Sequence, residues 1–338
     1  MKAVGLYHYL PIEDEKSLMD LEVDKPVPGD YDLLIRVKAN GVNPIDYKLR
    51  TRGGPVGDRP KILGFDVAGV VDAIGSKCTL FKVGDEVYYS GEAGRPGGNS
   101  EFHVVCEKVA GRKPETLTFA EAAALPLTSL TAYEGLFDRL LISQKTIENK
   151  DKTILIIGAA GGVGSMGTQL ARNVGLTVIG TASREKTVDW VKDHGAEYTI
   201  NHHEAFAPQL EKIGVKYVDY IFCLQGTDEH WESMAEVIAP QGKICSIVEN
   251  KKLIQLGLLK DKSVTFVWEF MFTRTKYQTK DMIKQHEILN EIAFMIENRE
   301  VKTTLNTILS PINGKNLRRA HEMLESGETI GKIVIEGF

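Results

Sequence analysis

The residues with the most specific chemistry in this 338-residue chain lie in TILIIGAAGGVGSMG, where an apolar run ends in a glycine-rich turn. Backbone N–H groups at the start of a helix have no partner within it and sit at the positive end of its dipole, so a turn that opens a helix can hold phosphate. Against the dinucleotide pattern GxGxxG, the first position here is Ala159, followed by Gly161 and Gly164. Gly161, Gly162, Val163 and Gly164 are therefore the expected pyrophosphate-binding residues. A purely structural glycine turn is the competing reading. The strand before the turn, the helix after it and the second strand beyond favour the cofactor.

Roughly 20 residues past such a turn, an NAD site carries a carboxylate for the ribose 2′-hydroxyl. Ala182, Ser183 and Arg184 stand there instead. A small residue leaves room for a 2′-phosphate, and a hydroxyl and a guanidinium can bind it through charge-assisted hydrogen bonds. NADPH is the expected cofactor, with Lys186 as a further cation. Glu185 belongs to the first turn of the next helix, where a carboxylate complements the helix dipole.

The other metal-ligating and nucleophilic side chains form no such pattern. His202 and His203 are adjacent, without a Glu-x-x-His spacing, so as strand or helix residues their side chains should diverge at the surface. Cys78, Cys106, Cys223 and Cys245 lie far apart with no CxxC pair, which argues against a disulfide framework and for a reducing, cytoplasmic setting.

The elements that must position the turn change in texture along the chain. Residues 1–125 hold short β-type runs broken by Gly and Pro (LLIRVKANGV, DVAGVVDAIG, DEVYYSG, SEFHVV), as in a mostly β domain. From 126 to 272, apolar strands alternate with helical segments, as in a parallel sheet wrapped by helices. Strands are expected at 153–157, 177–180, 217–222, 243–248 and 263–270. Val163, Met166, Leu170 and Val174 fall at helical spacing, with Gly175 as the stop. The charged run 273–280 reads as a solvated loop. The closing GKIVIEGF reads as a strand outside the parallel sheet, and it is placed on the N-terminal domain, which residues 273–338 would complete.

Composition limits the partners. Apolar residues make up 43% and charged residues 26%, and a net charge of −5 offers no general attraction to nucleic acid or anionic membranes. The N-terminus reaches acidic residues before any signal-peptide core, and no stretch approaches a membrane span. Small molecules are the expected partners.

VKANGVNPIDYKLR, LGFDVAGVVDAIG, FKVGDEVYY, EAAALPLTSLTAYEGL, IIGAAGGVGSMGTQLAR and the closing GKIVIEG, in that order, resemble the medium-chain dehydrogenase/reductase family over essentially the whole chain. The likeness is to its quinone oxidoreductase branch and to zinc-type alcohol dehydrogenase-like members. It implies an α/β fold, a GroES-like, mostly β substrate domain plus a Rossmann doubly wound domain. The zinc-containing members hold their metal with a Cys, a His and a later Cys. The matching positions here are Asn43, Phe65 and Leu127, which cannot take over those roles, and Asp66 alone cannot replace them. The stretch from Tyr88 to His103, where a structural-zinc lobe would lie, has no cysteine. No zinc of either kind is expected.

The resemblance further implies a cleft lined by Asn43, Tyr47 and residues 127–133, with Thr131 and Lys332 touching the cofactor. Asn43 has a second reading as the cap of a helix started by Pro44 and Asp46. Tyr47 reads either as a proton donor to a developing enolate or as a cleft wall. Without a Lewis acid, hydride transfer to an electron-poor quinone, enal or enone is the expected reaction. A zinc-dependent alcohol dehydrogenase and a non-catalytic NADPH-binding or nucleic-acid-binding protein are the alternatives. Residues 264–270, VTFVWEF, read as an apolar edge strand suited to a homodimer, which the resemblance also implies.

Overall fold

The computed structural model describes all residues except Gly54, Pro55 and Asp58. The chain divides into two units, Met1–Leu130 with Phe272–Phe338, and Thr131–Met271. The first unit begins with β1 (Lys2–Leu6), β2 (Met19–Glu22), β3 (Asp32–Val42), β4 (Lys61–Ile62), β5 (Asp66–Ile74), β6 (Glu86–Ser90), β7 (Phe102–Cys106) and β8 (Ala110–Arg112). Its helices are α1 (Pro44–Arg50), α2 (Phe119–Ala123) and α3 (Pro126–Tyr133), and the chain leaves the unit within α3. β3 is the central strand, pairing antiparallel with both β5 and β7. Val37, Ala39, Asn40, Gly41 and Val42 are buried at its far end. That end delivers the chain into α1.

The second unit follows the alternating pattern: β9 (Thr153–Ile157), α4 (Gly162–Asn173), β10 (Thr177–Thr181), α5 (Glu185–Asp193), β11 (Tyr198–Ile200), α6 (Phe206–Lys212), β12 (Val218–Cys223), α7 (Thr227–Val237), β13 (Ile238–Ser246) and β14 (Thr265–Trp268). All strand pairs are parallel, in the order β11-β10-β9-β12-β13-β14. This is the doubly wound Rossmann arrangement, whose order reverses between β9 and β12, and ligands bind beyond the carboxyl ends of the strands at that reversal. Leu155, Ile157, Ile179, Ile221 and Ile244 of the sheet pack with Phe206 and Trp231 of the helices. Burying each such side chain contributes about 1.5–3 kcal/mol. β11 has only three residues, too short to stand out in the apolar pattern.

The chain then returns to the first unit through α8 (Thr273–Lys276), α9 (Lys284–Glu297), β15 (Leu305–Leu309), α10 (Gly314–Glu325) and β16 (Lys332–Glu336). The run 273–280, expected as a solvated loop, instead starts with one helical turn. Arg274 is buried there because Asp281 supplies a carboxylate 3.1 Å from its Nε. β16 pairs antiparallel with β3, Ile333 opposite Val42, and brings Lys332 to the end of β3. Leu6, Leu18, Leu63, Leu317, Ile333 and Ile335 close the core beneath.

Candidate active site

In the second unit the site begins where β9 ends. Gly158, at φ +84°, makes the turn a side chain would resist, and its N–H donates to Thr181 Oγ1 at 3.0 Å. α4 then starts with Gly161 as its cap and with no side chain capping it. The first-turn N–H groups of Gly162, Val163 and Gly164 therefore face a potential anion.

The two motif glycines serve different purposes. A Cβ on Gly164 would lie 2.4 Å from Gly158 O and 2.6 Å from Ala159 Cα, so the protein's own backbone demands glycine there. A Cβ on Gly161 would meet only Gly158 O at 3.5 Å, and its φ of −76° suits any residue. The space over Gly161 is not filled by the protein, as a phosphate cradle requires. At the other end of α4, Gly175 (φ +88°) and Leu176 donate to Arg172 O and Ala171 O, which closes the helix.

Ser183, Arg184 and Lys186 follow β10 and are exposed. Thr187 Oγ1 accepts the Arg184 N–H at 3.1 Å and donates to Arg184 O at 2.7 Å, fixing the start of α5. His202 and His203 do not diverge, contrary to expectation. They sit in a turn set by Asn201 Oδ1, which accepts the His203 N–H, and their ring centroids are 4.2 Å apart. His203 is exposed and His202 half-buried. Burial lowers the His202 pKa, with His203, His230 and Arg184 adding to the shift.

The first unit holds a second constellation. Asn43 is the cap residue of α1, but its side chain makes no capping hydrogen bond. Asp46 does the capping instead, its Oδ2 accepting the Asn43 N–H at 2.8 Å and its Oδ1 the Gly64 N–H at 3.2 Å. Asn43 Nδ2 donates to Asp66 Oδ2 at 2.8 Å, and Asp66 Oδ1 accepts the Leu127 N–H at 2.7 Å. Lys332 Nζ completes the network, donating to Val42 O at 3.0 Å, Asp66 Oδ2 at 3.1 Å and Asn43 Oδ1. Asn43, Asp66 and Lys332 are 1%, 0% and 3% exposed. Burial raises the pKa of Asp66 against the opposing pull of Lys332, and burial also brings Asp46 up to about 7.

Lys332, expected to touch the cofactor, has three protein acceptors for its ammonium here, Val42 O, Asn43 Oδ1 and Asp66 Oδ2. Asp66, passed over in the sequence as insufficient for a metal, is instead the hub of the network. Its place next to Phe65, one of the positions that match zinc ligands in zinc-containing members, was the available signal. Tyr47 stands apart: its hydroxyl makes no hydrogen bond to this cluster among the described residues. Its pKa is raised by partial burial and by the Glu325 carboxylate, which pairs with Arg50. Thr131 lies buried in the last turn of α3.

The alcohol dehydrogenase GroES-like domain family matches residues 29–134, and the zinc-binding dehydrogenase family matches residues 194–335. A zinc-type alcohol dehydrogenase-like protein of Staphylococcus epidermidis is 42% identical over 99% of both chains. A solved protein of Rhizobium etli CFN 42, assigned to the zinc-dependent alcohol dehydrogenases, is 46% identical, with a TM-score of 0.95 over 100% of this chain and 98% of its own. Escherichia coli quinone oxidoreductase complexed with NADPH is 27% identical, with a TM-score of 0.84 over 99% and 100%. The chain belongs to the medium-chain dehydrogenase/reductase superfamily of oxidoreductases, with zinc-type alcohol dehydrogenase-like proteins and quinone oxidoreductases as its relatives. The zinc in those family names does not fit the residues here. Amide, phenyl and isobutyl groups stand at positions 43, 65 and 127, and no group of three or more His, Cys, Asp or Glu suited to a metal occurs among the described residues.

Proposed function

We propose that this oxidoreductase uses NADPH to reduce quinones or α,β-unsaturated carbonyls without zinc. The observation that carries the reading is the hydrogen-bonded network of Asn43, Asp66, Leu127 and Lys332, which takes in two of the three positions where metal-dependent relatives place ligands, 43 and 127, and the neighbour of the third, Asp66. When bound, the nicotinamide supplies a hydride. Gly161, Gly162, Val163 and Gly164 would hold the pyrophosphate, Ser183 and Arg184 with Lys186 the 2′-phosphate, and Thr131 a further cofactor group.

Asn43 has two amide hydrogens, and only one is bonded among the described residues. The other would donate to the acceptor's carbonyl oxygen, where negative charge grows in the transition state. Tyr47 is the candidate proton donor, and its raised pKa keeps the phenol protonated. The test is NADPH oxidation with a panel of quinones and enals, and NADP+ reduction with primary alcohols, each before and after exhaustive chelation. Turnover of a quinone or enal should persist. Zinc near one per chain with activity lost on chelation, or faster oxidation of a primary alcohol, would establish the metal-dependent reading. NADPH binding without turnover of any acceptor would make the protein a binder.

The same reading includes a homodimer. β14 is the edge of its sheet, with Trp268 43% and Phe270 46% exposed, and pairing with a second copy would cover that apolar edge. A monomer mass in light scattering, unchanged with concentration, would refute it. No helix among the described residues is long and apolar enough to cross a membrane, and the four cysteines are free, which suits a cytoplasmic protein.

A further inference from the structure

We infer that Lys332 is a positioning residue that fixes which way the Asn43 side-chain amide faces. The inference rests on the reading of Asn43 as donor to the acceptor's oxygen and adds the residue that makes it one. The two ends of an asparagine amide have nearly the same shape, so packing barely distinguishes a flipped side chain from an unflipped one. Polarity of the partners decides. A lysine ammonium has three donors and no acceptor, whereas an ionised carboxylate only accepts. Lys332 Nζ therefore demands Asn43 Oδ1, and Asp66 Oδ2 demands Nδ2, at 2.8 Å. Both charges are buried, where water screens them little.

The anchors around the amide are independently fixed. Val42 O takes a second ammonium hydrogen at the end of β3, and the Leu127 N–H holds the other Asp66 oxygen at the start of α3. The Asn43 N–H is held by Asp46. Because the amide is planar, fixing its oxygen and one hydrogen fixes the direction of the second hydrogen. Without the ammonium, Asp66 loses its counter-charge, takes up a proton more readily and becomes able to donate. The amide then has no reason to keep its nitrogen toward Asp66. Lys332 acts from 289 residues away, on β16.

The experiment uses the full-length protein labelled with 15N-asparagine, in the parent, Lys332→Met and Lys332→Gln, with the Asn43 side-chain resonance assigned by its loss in Asn43→Asp. Solvent exchange of that amide should quicken at least tenfold and its resonance move in both Lys332 variants. Lys332→Gln carries the test if Lys332→Met does not fold. An Asn43 resonance unmoved in either folded variant overturns the inference. In parallel, kcat with 1,2-naphthoquinone should fall about tenfold or more in Lys332→Gln and in Asn43→Ala, and the double variant should be no worse than Asn43→Ala alone. NADPH Kd should stay within twofold. Effects that multiply in the double variant would show Lys332 acting apart from Asn43. A tenfold rise in NADPH Kd with Asn43 undisturbed would return Lys332 to the cofactor. If the parent itself lacks turnover, the functional reading fails, and the resonance alone decides the positioning role.

Discussion

The glycine turn after β9 and the polar network at the end of β3 are both candidate binding centres, built by opposite means. The turn offers backbone N–H groups of consecutive residues, 162 to 164, and its charged neighbours Arg184 and Lys186 are exposed. The network uses the buried side-chain charges of Asp66 and Lys332 and the neutral amide of Asn43, with the Leu127 N–H at the start of α3. A centre made of backbone is carried by local sequence. One made of buried charge depends on which distant residues the fold brings together, and it should be costly to disturb.

The largest difference between them should appear on removing the network's carboxylate. Asp66→Ala leaves Lys332 buried without the carboxylate it pairs with and removes the Leu127 N–H···Asp66 Oδ1 hydrogen bond. Breaking a buried pair from one side costs about 3–5 kcal/mol. Urea unfolding should show that loss. A cost under about 1 kcal/mol would mean water reaches Lys332, which would undo the contrast drawn here.

Acid should also act on the first unit. His103 is buried between Tyr89 Oη at 2.8 Å and Pro96 O at 2.9 Å, and burial brings its pKa from 6.5 to about 4. Between those values the unfolded chain binds the proton and the folded one does not, so stability from this group is complete above pH 6.5 and is lost as pH falls toward 4. The window corresponds to about 3 kcal/mol. His103→Gln should flatten the acid limb of a stability–pH profile; an unchanged slope would place the acid sensitivity elsewhere, with buried His321 the next residue to replace.

How much was legible follows the same division. The strand, turn and helix from 153 to 175 could be read because apolar period, glycines and stop signal are contiguous. The quinone oxidoreductase likeness and the absence of ligands at 43, 65 and 127 were also readable, since they rest on residue identity at motif positions. The role of Lys332 was not. Within GKIVIEG it is one more polar residue opening a strand, and only the pairing of β16 with β3 shows where its ammonium lies. The His202–His203 expectation failed because it considered strand and helix geometry only, whereas Asn201 makes a turn. The buried Arg274 was missed because its partner, Asp281, lies just beyond the charged run that was read as solvated.

In the second unit the expected effects are on binding rather than on folding. Arg184→Ala removes an exposed guanidinium, so stability should hardly change. A hydrogen bond to a charged group contributes about 1.5–3 kcal/mol, which predicts a tenfold to hundredfold loss in NADPH affinity with NADH little affected. Ala182→Asp should lower the NADPH-to-NADH preference further by repelling the phosphate. Titration with both cofactors checks this. An unchanged ratio in Arg184→Ala would show that the 2′-phosphate is bound elsewhere, with Lys186 the next residue to replace, and a parent that prefers NADH would refute the NADPH reading.

The smallest change in stability, and the sharpest separation of backbone role from ligand role, is expected at Gly161. Its φ of −76° is open to alanine, and a Cβ there touches only Gly158 O at ordinary contact distance. Alanine lowers the entropy of the unfolded chain but is a poorer helix cap than glycine, two effects of similar size that oppose each other. Gly161→Ala should thus unfold within about 0.5 kcal/mol of the parent. The same methyl group occupies the space over the turn, so NADPH and NADH affinity should fall together, unlike in Arg184→Ala. Gly164→Ala provides the contrast: its Cβ would lie 2.4 Å from Gly158 O, and the turn cannot keep its shape, so stability and binding should both drop. If Gly161→Ala bound both cofactors as the parent does, the space above that glycine would not be where the pyrophosphate lies, and the turn would be a structural one.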